Sequence, residues 1–164
     1  MKSTTKVFTC IPVLLTFLFL GSTSCKKDKE TIYVNEFTPI TVSLITANKW
    51  MFQEGRGVRG GSLFYYLRGG SSNTESLDNE YIQLNTNNTG ISHEQSGVER
   101  QITWSFDNSD NSKMTVNYTN TPANYSIHWE NLRCKDNKLY YDEYFTDGNT
   151  GQNCQTNAIR IPKP

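Results

Sequence analysis

Alternation of apolar and polar residues is the strongest pattern in the second half of the chain. Between residues 101 and 107 every even position is apolar and every odd position is polar. Residues 113–119 and 125–130 repeat this alternation. Successive side chains of a β-strand point to opposite faces, so the pattern predicts three consecutive strands that each bury one face and expose the other.

Shorter apolar segments extend this prediction over most of the remaining chain. They are residues 49–54, 63–67, 81–84, 90–95, 139–145 and 156–161. Clusters of Asn, Gly, Ser and Asp, which are typical of turns, separate them. Eight or nine short strands at this spacing are typical of an all-β fold. Because the connections have hairpin length and closure removes exposed edges, we expect an up-and-down antiparallel β-barrel of about eight strands.

The region around residue 50 sets the start of the barrel. Ile40, Leu44 and Ala47 have helical spacing and predict a short N-terminal helix before the first strand. Residues 55–60 then read Gly-Arg-Gly-Val-Arg-Gly, and we expect these glycines to end the first strand in a hairpin loop. The segment has the literal spacing of a dinucleotide-binding loop, but a β-rich stretch follows it where that site needs a helix. Arg56 and Arg59 are therefore interpreted as solvated loop charges.

The first residues have the pattern of a secretory signal. Lys2 and Lys6 precede a mostly apolar run at residues 7–20, and small residues lead to Cys25. The run is too short to span a bilayer comfortably.

The residues Ser22-Thr23-Ser24-Cys25 resemble the lipobox of bacterial lipoproteins, in which the cysteine is lipidated and becomes the first mature residue. The resemblance implies a signal peptide at residues 1–24 and a membrane anchor on Cys25. Lys26 stands where such lipoproteins often carry the aspartate that retains them in the inner membrane, so the implied location is the cell envelope at the outer membrane. Residues 25–38 are mostly polar and predict a flexible tether to a domain at residues 39–164.

The predicted helix, the strand that carries Trp50, and the segments 125–127, 132 and 139–141 together resemble bacterial lipocalin-like lipoproteins. The resemblance implies a lipocalin-like barrel in which Trp50 packs under a basic side chain near the last strand. Arg160 is the matching candidate. Two interpretations stay open for it, a cation-π contact with Trp50 or a position on the solvent face.

Charge and motif content exclude several function classes from the prediction. The chain carries no formal net charge, so we expect no nucleic-acid partner. His93 and His128 lie far apart without other ligands at metal-site spacing, and we expect neither a metal nor a cofactor. Asp142 and Glu143 are adjacent on a strand, so they face opposite sides and do not form a catalytic pair with each other. We expect a protein that is not an enzyme.

Two cysteines of the predicted domain, Cys134 and Cys154, are interpreted as structural. An exported chain favours a disulfide between them. The intervening strand at residues 139–145 opposes it, because a straight strand of that length separates its ends by roughly 20 Å. The sequence leaves both outcomes open.

Six aromatic residues on the predicted inward face are the candidate ligand-binding residues. They are Trp104, Phe106, Tyr118, Tyr125, Trp129 and Tyr141. An eight-stranded barrel is just wide enough for side chains to fill it, so these rings form either a packed core or the wall of a pocket. A pocket favours binding of a small apolar or amphipathic ligand. A packed core favours an interaction module that presents its loops at residues 56–62 and 67–79 to a protein or a glycan.

Replacing the cysteine that carries the predicted anchor tests the location. In the native host, Cys25→Ser should abolish acylation and move the protein from the membrane fraction to the soluble fraction, because the thiol that accepts the lipid is gone. Metabolic labelling with a fatty acid and cell fractionation measure both effects. Unchanged retention in the membrane fraction would contradict the anchor.

Overall fold

The computed structural model describes residues 37–119, 124–148 and 150–164, and in these ranges the chain is almost entirely β-structure. The predicted all-β class with one short helix is confirmed. The elements are α1 (Val42–Ile45), β1 (Lys49–Arg59), β2 (Ser62–Leu67), β3 (Tyr81–Leu84), β4 (Thr89–His93), β5 (Glu99–Phe106), β6 (Met114–Tyr118), β7 (Tyr125–Lys135), β8 (Lys138–Thr146) and β9 (Asn153–Pro162). The predicted signal peptide, Cys25 and the tether up to residue 36 lie outside the described residues.

The strands form a closed antiparallel barrel of the predicted up-and-down type. From β3 to β9 each strand pairs with the next one in sequence, and β9 pairs with β1 to close the sheet. β3 pairs with residues 49–51 of β1, and β2 pairs with residues 54–59 of the same strand. β9 pairs along one edge of β1. β2 and β3 therefore lie one after the other along the opposite edge of β1. They take one position in the eight-stranded barrel, interrupted by residues 68–80.

The inserted segment at residues 68–80 covers the break between β2 and β3. The Arg68 amide donates to the Gln53 carbonyl at 2.9 Å, and its guanidinium Nη2 donates to the Phe52 carbonyl at 2.7 Å. Asn73 and Thr74 accept hydrogen bonds from main-chain amides at the outer edge of β2. The insertion therefore satisfies main-chain groups that the interrupted ladder leaves unpaired.

The prediction that glycines end the first strand at residue 55 is wrong. β1 continues to Arg59 through Gly55 and Gly57, and the turn comes at Gly60 and Gly61, which have positive φ angles of 53° and 77°. A Cβ atom on Gly57 would lie 1.9 Å from the Gln155 carbonyl oxygen of β9. Glycine is needed at position 57 because the first and last strands approach too closely there for a side chain.

Helix α1 lies at one end of the barrel, next to the turns that follow β3, β5 and β7. We call this the closed end, and we call the opposite end, with the turns after β1, β4 and β8, the rim. Ile45 of the helix is fully buried, and Trp50 Nε1 donates to the Ile45 carbonyl at 2.7 Å. Thr38 pairs with Cys134, and Asn111 donates to the Ile40 carbonyl. These bonds fasten the segment before β1 across the closed end.

Cys134 and Cys154 are buried free thiols. Cys134 pairs with Leu139 at the start of β8, whereas Cys154 pairs with Phe145 near its end. The rise of the strand places them on the order of 20 Å apart, beyond the reach of a disulfide. Burial raises the pKa of the Cys134 thiol. Of the two alternatives, the one without a bridge is found.

The close approach of β1 and β9 predicts a large effect of a small substitution. Gly57→Ala should lower the free energy of unfolding by about 1–3 kcal/mol, because the new methyl group forces the two strands apart. Gly148→Ala is the matched control, since nothing lies within 4 Å of a Cβ at that exposed position, and it should change stability by less than about 0.5 kcal/mol. Denaturant unfolding of both variants measures the difference. Equal stability of the two variants would contradict the packing role of Gly57.

Candidate functional site

The barrel interior divides into an apolar half at the closed end and a polar half toward the rim. Large buried side chains fill the first half: Ile45, Trp50, Leu84, Ile102, Trp104, Met114, Leu132 and Leu139. Trp104 Nε1 donates to the carbonyls of Asn85 and Thr89, both at 3.1 Å, so its single polar atom is satisfied there. This half is a packed core.

A cavity of about 270 Å³ lies above this core, toward the rim. Its wall combines aromatic and charged side chains. They are Tyr118, Tyr125, Trp129 and Phe145 among the aromatics, and Arg59, Glu80, Glu94, Glu143 and Arg160 among the charged residues. The interior is therefore neither fully packed nor a purely apolar pocket.

Arg160 of β9 lies on the floor of the cavity and is 4% exposed. Its Nε donates to the Tyr141 hydroxyl at 2.7 Å, its Nη1 to the Trp50 carbonyl at 3.0 Å, and its Nη2 to Glu80 Oε1 at 2.7 Å. This burial contradicts the solvent-facing alternative for Arg160. A buried cation of this kind is tolerated because each nitrogen of its guanidinium has an acceptor and one of these acceptors is a carboxylate.

The contact of Arg160 with Trp50 differs in kind from the predicted one. The guanidinium reaches the Trp50 main-chain carbonyl, and it lies over the rings of Phe52 at 5.1 Å and Trp129 at 5.6 Å. Trp50 and Phe52 are successive inward-facing residues of β1. On this strand the cation-π contact is therefore made with Phe52 and not with Trp50.

Glu143 of β8 and Arg59 of β1 form a second ion pair in the wall. Arg59 Nη2 donates to Glu143 Oε1 at 3.0 Å, and Trp129 Nε1 donates to Glu143 Oε2 at 3.2 Å. Arg59 also reaches Glu75 on the inserted segment at 3.4 Å, and its guanidinium lies 3.9 Å from the ring centroid of Phe64. The interpretation of Arg59 as a solvated loop charge is wrong, because its strand continues to the rim and the side chain turns inward.

Two stacked tyrosines form the opposite part of the wall. The rings of Tyr118 and Tyr125 are 4.5 Å apart and nearly parallel, and the Tyr118 hydroxyl donates to Ser92 Oγ at 3.1 Å. Burial, together with the negative charge of Glu94, raises the pKa of Tyr125 to about 12. Burial also raises the pKa of Tyr118 far above its ordinary value. Both hydroxyls are thus neutral hydrogen-bonding groups at physiological pH.

Of the six aromatic candidates, the structure brings three together on the cavity: Tyr118, Tyr125 and Trp129. Tyr141 lies behind this wall, stacked on Trp129 at 4.1 Å. Trp104 and Phe106 pack edge to face near the closed end, outside the cavity lining.

Apart from Arg160, sequence reasoning missed the charged part of the wall. Glu143 shares the inward side of β8 with Leu139 and Tyr141, so the alternation contained a signal for it. Its neighbour Asp142 points outward to Asn131 and Asn157, as expected for adjacent strand positions. Glu80 had no such signal, because it lies on the insertion.

All buried polar side-chain atoms among the described residues have hydrogen-bond partners. In the same part of the chain, no group of three or more His, Cys, Asp or Glu side chains is arranged to hold a metal ion. A ligand entering the cavity must therefore exchange hydrogen bonds with the wall or occupy its aromatic surface.

The division of the interior predicts that Trp104 stabilises the packed half of the barrel. Trp104→Ala should lower the free energy of unfolding by about 3–5 kcal/mol, because it empties part of the packed half. Tyr144→Ala, at an outward position of β8, is the control and should cost much less. Chemical denaturation measures both. A loss below about 1 kcal/mol for Trp104→Ala would contradict the assignment of Trp104 to a packed core.

Comparisons with protein-family models, with curated proteins and with solved structures found no match. Among the described residues, no helix has the length and apolar character needed to cross a bilayer.

Proposed function

We propose that this protein is a bacterial lipocalin-like lipoprotein, held at the outer membrane by a lipid on Cys25, that binds a small amphipathic ligand inside its barrel. Binding, rather than catalysis, is its activity. The observation that carries the proposal is the cavity of about 270 Å³ between the packed core and the rim. Cavities that combine an aromatic wall with a few fixed polar groups are typical ligand sites.

Size and lining restrict the class of ligand. The volume is slightly below the roughly 300–1,000 Å³ of sites for drug-sized molecules, so the ligand is small. A wholly apolar ligand would cover the carboxylates of Glu80 and Glu143 without offering them a hydrogen bond, which is costly. A ligand with one polar and one apolar part matches both the charged groups and the rings of Tyr125 and Trp129.

An interaction module that presents its rim to a protein or glycan is the second candidate. The observation that favours it is an apolar cross-strand pair on the outer face of the β1–β2 hairpin. Val58 and Leu63 face each other there, and Leu63 is 82% exposed. Exposed apolar side chains beside a turn are typical of a contact surface when they belong to a larger patch.

A cavity-filling variant tests the ligand-binding proposal. Calorimetric titration with small aromatic and alkyl compounds that carry an amine, a hydroxyl or a carboxylate should find a saturable ligand with a stoichiometry of one. Ser92→Phe should abolish this binding, because Ser92 lines the cavity and a large ring there occupies its volume. Quenching of tryptophan emission by the same ligand would place it near Trp129.

Ile91→Phe is the matched control, since Ile91 is the neighbouring residue on β4 and lies outside the cavity lining. It should bind like the unmodified protein. Circular dichroism confirms that both variants are folded. Failure of every compound to bind, or equal affinity of Ser92→Phe and the unmodified protein, would contradict binding in the cavity.

A further inference from the structure

We propose that the cavity takes an organic amine, a small molecule with a protonated amino group on an aromatic or apolar body. This inference rests on the binding function proposed above and specifies its ligand class. It follows from the aromatic faces of the wall and from the way in which its two arginines are paired.

The wall presents aromatic faces beside carboxylates that each have an arginine partner. Glu80 pairs with Arg160, Glu143 with Arg59, and Glu94 with Arg100, which lies outside the cavity lining. The rings of Tyr118, Tyr125 and Trp129 line the same space. An aromatic face attracts a cation through the negative potential above the ring, and the attraction is stronger where water is excluded. The aromatic faces therefore favour a positively charged ligand.

Arg160 is not available to an anionic ligand. Each of its three nitrogens donates a hydrogen bond, to the Tyr141 hydroxyl, the Trp50 carbonyl and Glu80. An anion that displaced Glu80 would break the one bond among these that joins opposite charges. The cost of an unpaired carboxylate at the cavity would oppose such an exchange.

Arg59 is paired differently, because it joins two carboxylates in different surroundings. The Glu143 side chain is 5% exposed, whereas the Glu75 side chain on the insertion is 45% exposed. A ligand ammonium that binds Glu143 replaces one bond of Arg59, and Arg59 keeps Glu75 at the rim. No charge is left buried without a partner. The reverse exchange, an anion on Arg59, would leave Glu143 buried with only the Trp129 N–H.

Arg59 is therefore the internal counter-ion that an amine replaces. The two partners of this ion pair then have opposite effects on binding. Removing the carboxylate removes the group that the ammonium binds, while removing the guanidinium removes the competitor.

Three probes with the same body and different charge test the ligand class. 2-Phenylethylamine, 2-phenylethanol and 3-phenylpropanoate are titrated calorimetrically into the full chain. The amine should bind about tenfold more tightly than the alcohol, as expected for one charged hydrogen bond in a buried site. The carboxylate should bind most weakly.

Two variants test the exchange. Glu143→Gln should weaken amine binding about tenfold and leave alcohol binding unchanged. Arg59→Met should strengthen amine binding, and the amine should raise its melting temperature more than that of the unmodified protein. Glu130→Gln and Arg56→Met are the controls, because these residues pair with Lys113 and Glu54 outside the cavity lining.

The outcomes distinguish a failure of the amine class from a failure of ligand binding in the cavity. If the alcohol or the carboxylate binds as tightly as the amine, the amine class is overturned while ligand binding in the cavity stands. If Glu143→Gln does not fold, Arg59→Met decides, and unchanged or weaker amine binding overturns the exchange. If none of the three probes binds, the amine class is overturned, and the wider compound series with Ser92→Phe decides the binding function separately.

Discussion

Pairing of the first strand with the last one is the constraint on which the rest of the structure depends. β1 pairs with β9 from Trp50 to Val58, and Gly57 permits the two backbones to approach. The closed sheet brings Arg59 at the end of β1 beside Glu143 of β8, and it brings Arg160 of β9 under the cavity. Without this pairing neither ion pair would form, and the interior would be an open cleft.

The regular half of the barrel could be predicted from the sequence, and the region around the insertion could not. Strands β5 to β7 have one wet face and one buried face, so alternation revealed them. β1 lacks that signal after Phe52, because a bulge shifts its register and glycines replace inward side chains. β2 and β3 share one position in the barrel because both pair with β1. No local sequence pattern indicates this pairing.

The residues of the candidate site also divide into some that could be predicted from the sequence and others that could not. Aromatic residues at inward positions, such as Tyr118 and Trp129, could be found because apolar side chains define the pattern. Charged residues inside the barrel contradict that pattern, and Arg59 therefore resembled a loop charge. Their burial is possible only because partners from distant segments satisfy them, as Glu75 and Glu143 do for Arg59. Such partners become visible only in three dimensions.

Closure between β1 and β9 also has a kinetic consequence. The two strands lie near opposite ends of the domain, so the contact that closes the barrel has nearly the largest possible separation in sequence. Folds dominated by such non-local pairings fold in milliseconds to seconds, since the entropy of the long loop must be lost before the contact forms. Until then both edge strands are unpaired and prone to association. Before the barrel closes, the chain can therefore aggregate through these unpaired edges, and only other molecules around it can protect it.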